Sequence, residues 1–211
     1  MNINSLPIKI PIFPLANAIL FPGTILPLNI FEKRYIQLVD DCMKDKRLFG
    51  IIQPKKIEGS ETKVYNVGCL GKIVSFNETR DKRFIISLSG ISRFKIREEL
   101  TTNKLYREFE VDYSDFTNDI NKKIEEKKYD SSSLLNKIKI LFEKKNYAID
   151  WNELDKLNFD NLVSAICMIS PFSIEEKQKL IEAINTEEKF KTLEEIINFN
   201  LLDNLENKTV Q

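Results

Sequence analysis

Residues 11–35 read PIFPLANAILFPGTILPLNIFEKRY, and most of the fold follows from how this stretch is parsed. Its apolar run is cut by Pro22, Gly23 and Pro27, so it cannot form a membrane-spanning helix of about 20 residues. Phe21-Pro22-Gly23 predicts a type II turn, in which proline presets the second position and glycine accepts the positive φ of the third. On either side lie two short strands, Ile8 to Phe13 and Ile25 to Ile30. The first carries Pro11 and ends at Pro14, which predicts an edge strand. From Phe31 to Lys44 the period changes, placing Phe31, Tyr35, Leu38, Val39 and Cys42 on one helical face. Asn29 is the expected N-cap, and Glu32 adds negative charge to the first turn.

Downstream, Leu48 to Gln53 predicts a strand closed by Pro54, and Lys55 to Thr62 an exposed loop. Val64 to Phe76 reads as a strand whose Gly68 and Gly71 mark a bulge or bend. Asn77 to Arg83 reads as a hairpin tip. Phe84 to Leu88 and Ile91 to Ile96 read as strands around Ser89 and Gly90. Tyr106 to Tyr113 alternates with period two, Arg107, Phe109, Val111 and Tyr113 sharing one face. After Phe116 the pattern becomes helical. A charged stretch, Asp119 to Tyr129, precedes a helix capped by Ser131 to Ser133 and striped by Leu134, Leu135, Ile138, Leu141 and Phe142. Trp151 to Asp160 reads as a polar connector, and Asn161 to Ile169 as a short apolar helix stopped by Pro171. Ser173 and Glu176 form a capping-box pattern. Thr186 is the expected cap of a last helix striped by Phe190, Leu193, Ile196, Ile197 and Leu201. Strands followed by helices predict an α+β chain, with a β-rich unit over residues 1–116 and a helical unit over 117–211.

Composition narrows the chemistry. The 211 residues include no histidine, which removes Ser-His-Asp and Cys-His catalysis and histidine metal ligation. Cys42, Cys69 and Cys167 are too scattered for a disulfide framework or a zinc site, and fit a reducing, cytoplasmic setting. Lys+Arg and Asp+Glu both number 32, so no net charge draws the chain to nucleic acid or an anionic membrane. No secretory leader is evident in residues 1–6. Adjacent carboxylates, Asp40 with Asp41 and Glu98 with Glu99, diverge on a helix or strand and do not converge on one substrate atom. No lysine spacing sets an amine beside a serine hydroxyl such as Ser87 or Ser89. None of the six glycines opens a phosphate-cradling loop of the Gly-x-x-x-x-Gly-Lys-Ser/Thr type. A binding module without cofactor, metal or ATP is therefore expected rather than an enzyme.

The opening stretch, with Pro-Ile-Phe-Pro-Leu, Phe-Pro-Gly, Pro-Leu and Phe-Glu-Lys-Arg-Tyr at their present offsets, closely resembles the start of the substrate-binding domain of Lon-type ATP-dependent proteases. Phe49-Gly50-Ile51, Val67-Gly68-Cys69, Lys72-Ile73, Gly90-Ile91-Ser92-Arg93-Phe94 and Ser173 to Ile181 continue the resemblance. It implies a PUA-like, mostly antiparallel β pseudo-barrel with one inserted helix, followed by a C-terminal helical bundle. The chain stops after the helical part, so it resembles that domain standing alone, without nucleotide-binding or Ser–Lys proteolytic parts. Implied partners are unfolded or apolar polypeptide, or a specific protein; nucleic acid and membrane are not expected, although PUA-like barrels can bind RNA, and an unrecognised hydrolase site is the other alternative. Phe13, Phe21 and Phe31 are large enough to anchor a core at about 1.5–3 kcal/mol each. Phe21, Pro22, Phe31, Arg34 and Tyr35 are the candidates for contact with an extended apolar peptide. Pro11, Pro14 and Pro27 remove backbone donors, which favours capture of side chains over strand addition.

Overall fold

Pro22 and Gly23 form the expected turn: the Thr24 amide donates to the Phe21 carbonyl at 3.1 Å and Gly23 sits at φ 79°. The computed structural model describes residues 3–55, 63–120 and 131–206. Most of the expected loop after Lys55 and the charged stretch after Ile120 lie outside the described residues. The turn leads from β1 (Lys9–Pro14) to β2 (Ile25–Ile30), then α1 (Lys33–Met43). The helix buries Tyr35, Leu38, Val39 and Cys42, the face the periodicity selects. Its start differs from expectation. Asn29 remains in β2, and Glu32 is the N-cap residue, with no side-chain cap bond. Phe31 therefore precedes the helix and is 63% exposed instead of packing with the helical stripe.

Four further strands follow: β3 (Leu48–Lys55), β4 (Lys63–Glu78), β5 (Phe84–Leu100) and β6 (Arg107–Asp112). The sheet order is β2-β5-β4-β3-β1-β6, and β6 returns to pair with β5. Five strands thus close into a barrel, antiparallel except for β1 beside β3, while β2 flanks β5. The edge position expected of β1 is not observed: it lies between β3 and β6. Its prolines are tolerated because the two ladders are staggered. Pro11 pairs only toward β6, opposite Glu108, and Pro14 only toward β3, opposite Ile52. Each proline thus has one side without a ladder, where a missing donor costs nothing.

The two β-runs around Gly90 are one strand, β5, bent by a bulge. Leu70 pairs with Ser92 and Gly71 with Gly90, leaving Ile91 as the extra residue. The bend brings Gly90 against the turn after Leu20. The Gly23 amide donates to the Gly90 carbonyl at 3.0 Å, and the Gly90 amide to the Thr24 carbonyl at 2.9 Å. A Cβ on Gly90 would stand 2.1 Å from the Phe21 carbonyl oxygen. The Phe-Pro-Gly and Gly-x-x-Arg-Phe stretches are two sides of one backbone contact.

A 3-10 segment, Ser114–Asp119, leads into five helices: α2 (Ser131–Lys144), α3 (Trp151–Asp155), α4 (Phe159–Ile169), α5 (Ile174–Glu182) and α6 (Thr186–Glu206). The expected connector at 151–160 contains α3, whose N-cap Asp150 accepts the Asn152 amide, and the start of α4. Ser173 and Glu176 form a full capping box. Thr186 is the first residue of α6 and not its cap. Instead Asn185 Oδ1 accepts the Glu188 amide at 2.9 Å.

One apolar cluster runs without a break from Phe13 in β1 to Ile197 in α6, and a smaller one fills the barrel around Phe94 and Phe109. Buried polar groups tie the strands to the helices. Arg93, 3% exposed, makes a two-pronged ion pair with Asp119, Nε to Oδ2 at 2.9 Å and Nη2 to Oδ1 at 2.8 Å. It also donates to the carbonyls of Ile181, Ala183 and Ile184 and lies over the Phe116 ring. Gln53 donates to the Ile174 carbonyl at 2.9 Å, and Lys177 to the Asn17 carbonyl at 2.7 Å. Among the described residues, no helix is long and apolar enough to cross a membrane.

Candidate functional site

The barrel is not closed along its whole length. β4 and β5 pair from Glu78 with Phe84 up to Val67 with Lys95. Beyond that point β5 follows β6, as far as Leu100 opposite Glu108, while β4 stays with β3, Val64 opposite Pro54. The two arms diverge because each keeps its own ladder, and residues 63–66 are left without a partner on the β5 side. The mouth between them opens into a groove of about 750 Å³, within the ~300–1,000 Å³ of typical ligand sites.

The groove floor is apolar. Val64, Ile96 and Phe109 continue the barrel interior outward, and Pro14, Pro54 and Tyr35 extend it toward α1. Tyr35 is fixed by its ring contact with Phe13, centroids 4.0 Å apart. Burial raises its phenol above the ordinary value, with Arg34 opposing the shift, so the ring stays neutral near pH 7. Polar groups stand at the rim: Arg34, Lys63, Asn66, Glu99 and Arg107. Arg107 grips Glu99 through two bonds of 2.6 Å and lies over the Phe109 ring at 5.0 Å. Its hydrogen bonds hold the Glu99 carboxyl below its usual range, against a smaller opposing effect of burial. Arg34 pairs with Glu32 at 2.8 Å and covers the Tyr35 ring at 4.5 Å. The arrangement suits apolar side chains below and charged or polar atoms above. Pro14 and Pro54 contribute no amide donors to it.

The five contact candidates separate in space. Arg34 and Tyr35 meet in the groove. Phe21 is fully buried and cannot touch a ligand in this conformation; the Lys189 amine lies 4.4 Å above its ring. Pro22 is half-buried in the turn against Gly90, and Phe31 is exposed but outside the groove lining. The groove residues Lys63, Val64, Asn66, Ile96, Glu99, Arg107 and Phe109 escape a local reading. The one signal was the period-two run that places Arg107 and Phe109 on a single face.

The fold also assembles an amine and a hydroxyl that their spacing does not announce. Lys189 Nζ lies 3.1 Å from Ser164 Oγ, and burial lowers the lysine's proton affinity. Both side chains are buried, and neither lines the groove. Among the described residues no cluster of three or more His, Cys, Asp or Glu could hold a metal ion. All three cysteines are buried, free thiols.

Comparison with known proteins bears on the family and the fold. The chain is 24% identical to Lon protease 2 of Myxococcus xanthus over 202 residues, covering 94% of this chain and 24% of that protein. It is 25% identical to Lon protease of Desulfosudis oleivorans over 210 residues, again covering 94% of this chain and 25% of the relative. The chain therefore spans about a quarter of the length of these relatives. A Lon N-terminal domain protein from Xanthomonas campestris has the same fold, with TM-score 0.61 at 20% identity, over 88% of this chain and 96% of that one. So does the N-terminal domain of a Mycobacterium avium complex Lon protease, with TM-score 0.59 at 15% identity, over 90% of this chain and 98% of that one. The family described as the ATP-dependent protease La (LON) substrate-binding domain matches residues 9–198, and the chain belongs to that family.

Proposed function

We propose that this chain is a non-catalytic, cytoplasmic polypeptide-binding module that holds an extended apolar segment in the groove where β4 and β5 part. It acts as an adaptor or substrate-presenting protein, without ATP, metal or peptidase chemistry of its own. The observation that carries this reading is the groove itself: an open channel with the buried rings of Tyr35 and Phe109 at its base, half-buried Val64 and Ile96 along it, and charge at its rim. Concave sites with an apolar base and a few polar groups at the rim are where ligands bind. The family's description as a substrate-binding domain points the same way. Capture of side chains is favoured along Pro14 and Pro54, which have no N–H to offer an incoming strand, whereas residues 63–66 of β4 keep an edge unpaired on the β5 side.

The test is binding of a fluorescently labelled, reduced and unfolded client, followed by anisotropy, to the natural protein and to Ile96→Glu and Val64→Glu. Both positions are half-buried in the lining, so the charge enters the groove. The expected result is a loss of affinity of about tenfold or more with the melting temperature little changed. Equal binding by both variants would remove the groove from the reading, and binding of polyanions in place of polypeptide would overturn the reading as a whole.

A further inference from the structure

The groove lining holds three cations, Arg34, Lys63 and Arg107, against one carboxylate, Glu99, in a chain with no net charge. Arg107 and Glu99 neutralise each other through their double hydrogen bond. Arg34 and Lys63 are differently placed. The Arg34–Glu32 pair is about half exposed on both sides, so a ligand carboxylate can exchange with Glu32 at little cost. Lys63 is exposed and has no carboxylate partner among the described residues. The first turn of α1, which supplies Arg34 and Tyr35, holds two basic residues, Lys33 and Arg34, and no acidic one. The carboxylate beside them is that of the N-cap Glu32, which is paired with Arg34. Apolar floor and cationic rim are adjacent: the Arg34 guanidinium lies on the Tyr35 ring itself.

Resting on the polypeptide-binding reading above, we propose that the preferred occupant is an extended apolar segment with an Asp or Glu side chain beside its apolar residues. Arg34 and Lys63 take the carboxylate, and Tyr35, Ile96 and Phe109 take the apolar groups. The complement defines specificity as well as attraction. A segment flanked by lysine meets like charge at the rim and is rejected.

The experiment uses three labelled peptides with one apolar core, flanked by Glu, Gln or Lys, all with amidated C-termini so that the side chain is the only carboxylate. Anisotropy titrations of the full chain are expected to rank Glu over Gln over Lys, with about fivefold between neighbours. Raising NaCl from about 50 to about 500 mM weakens the Glu peptide and leaves the Gln peptide little changed. In R34Q/K63Q the ratio of Glu to Gln affinities falls to about one. The salt comparison on the natural protein reads the same contact should that variant fold poorly. Equal affinity for the Glu and Gln peptides, with Ile96→Glu still abolishing both, overturns the carboxylate preference and leaves the polypeptide-binding reading standing. No binding of any peptide overturns both. A free-acid Gln peptide that binds like the Glu peptide transfers the contact to a chain terminus and overturns the side-chain assignment.

Discussion

Replacing Arg93 by Met keeps most of the apolar stem and removes the charged head from the junction between strands and helices. The head makes two bonds to Asp119 and three to the carbonyls of Ile181, Ala183 and Ile184. The side chains of Arg93 and Asp119 are 4% and 9% exposed. After the change Asp119 keeps only the Arg93 amide, at 2.9 Å, and remains a nearly buried charge. Breaking a buried pair from one side costs about 3–5 kcal/mol, a fifth or more of a typical domain's stability of ~5–15 kcal/mol. Asp119→Asn should cost less, because the guanidinium retains its carbonyl partners. Removing both charges with Arg93→Met and Asp119→Leu together should restore part of the loss, since paired apolar replacements are often near neutral. Urea unfolding followed by the fluorescence of Trp151, the single tryptophan, reads these differences as shifts in midpoint at constant slope. A loss below about 1 kcal/mol for Arg93→Met, or a double-mutant cycle with no coupling, would refute the assignment of this pair as the clamp between the two halves.

Gly90→Ala should destabilise by about 2–3 kcal/mol in the same assay, because its Cβ collides with the Phe21 carbonyl oxygen, a backbone atom that cannot swing away. Ser173→Ala should cost about 1 kcal/mol by removing one half of the capping box on α5. Alkaline pH should weaken the fold. Burial pushes the Cys42 and Cys167 thiols from 9.0 up to about 12, and Cys69 upward as well. The unfolded chain therefore loses these protons first, so stability is full below pH 9 and is lost as pH climbs toward about 12. Lys177 and Lys189, lowered by burial, act in the opposite sense, but they are two groups against six, the three thiols and Tyr35, Tyr106 and Tyr113, all raised chiefly by burial. A midpoint that rises from pH 8 to about pH 10 would contradict this balance. The same burial predicts that a thiol reagent at pH 8 labels the native chain slowly, through opening, and the urea-unfolded chain at once.

The groove and the clamp divide the molecule's labour. Arg93, Gln53 and Lys177 direct their polar atoms inward to join helices to strands, and their partners are mostly backbone carbonyls. The groove charges, by contrast, stand at an open rim with exposed or half-exposed partners. The first set is held by what is already folded; of the second, Arg34 and Lys63 stand exposed to solvent.

Sequence alone determined what depends on neighbours within a few residues. The Phe21–Thr24 turn follows from the fixed φ of proline and the tolerance of glycine, the α1 face from a period of 3.6, and the α5 cap from Ser173 and Glu176 three positions apart. Tertiary structure decided whatever depends on pairing over distance. The ladders on both sides of β1 turned an expected edge strand into an interior one, and the parting of β4 from β5 at Val67 and Lys95 created the groove. Hydrophobicity marks Phe21 and Phe31 alike, yet one is buried and the other 63% exposed. Burial depends on which surfaces the remaining chain covers, and a local pattern does not contain that information.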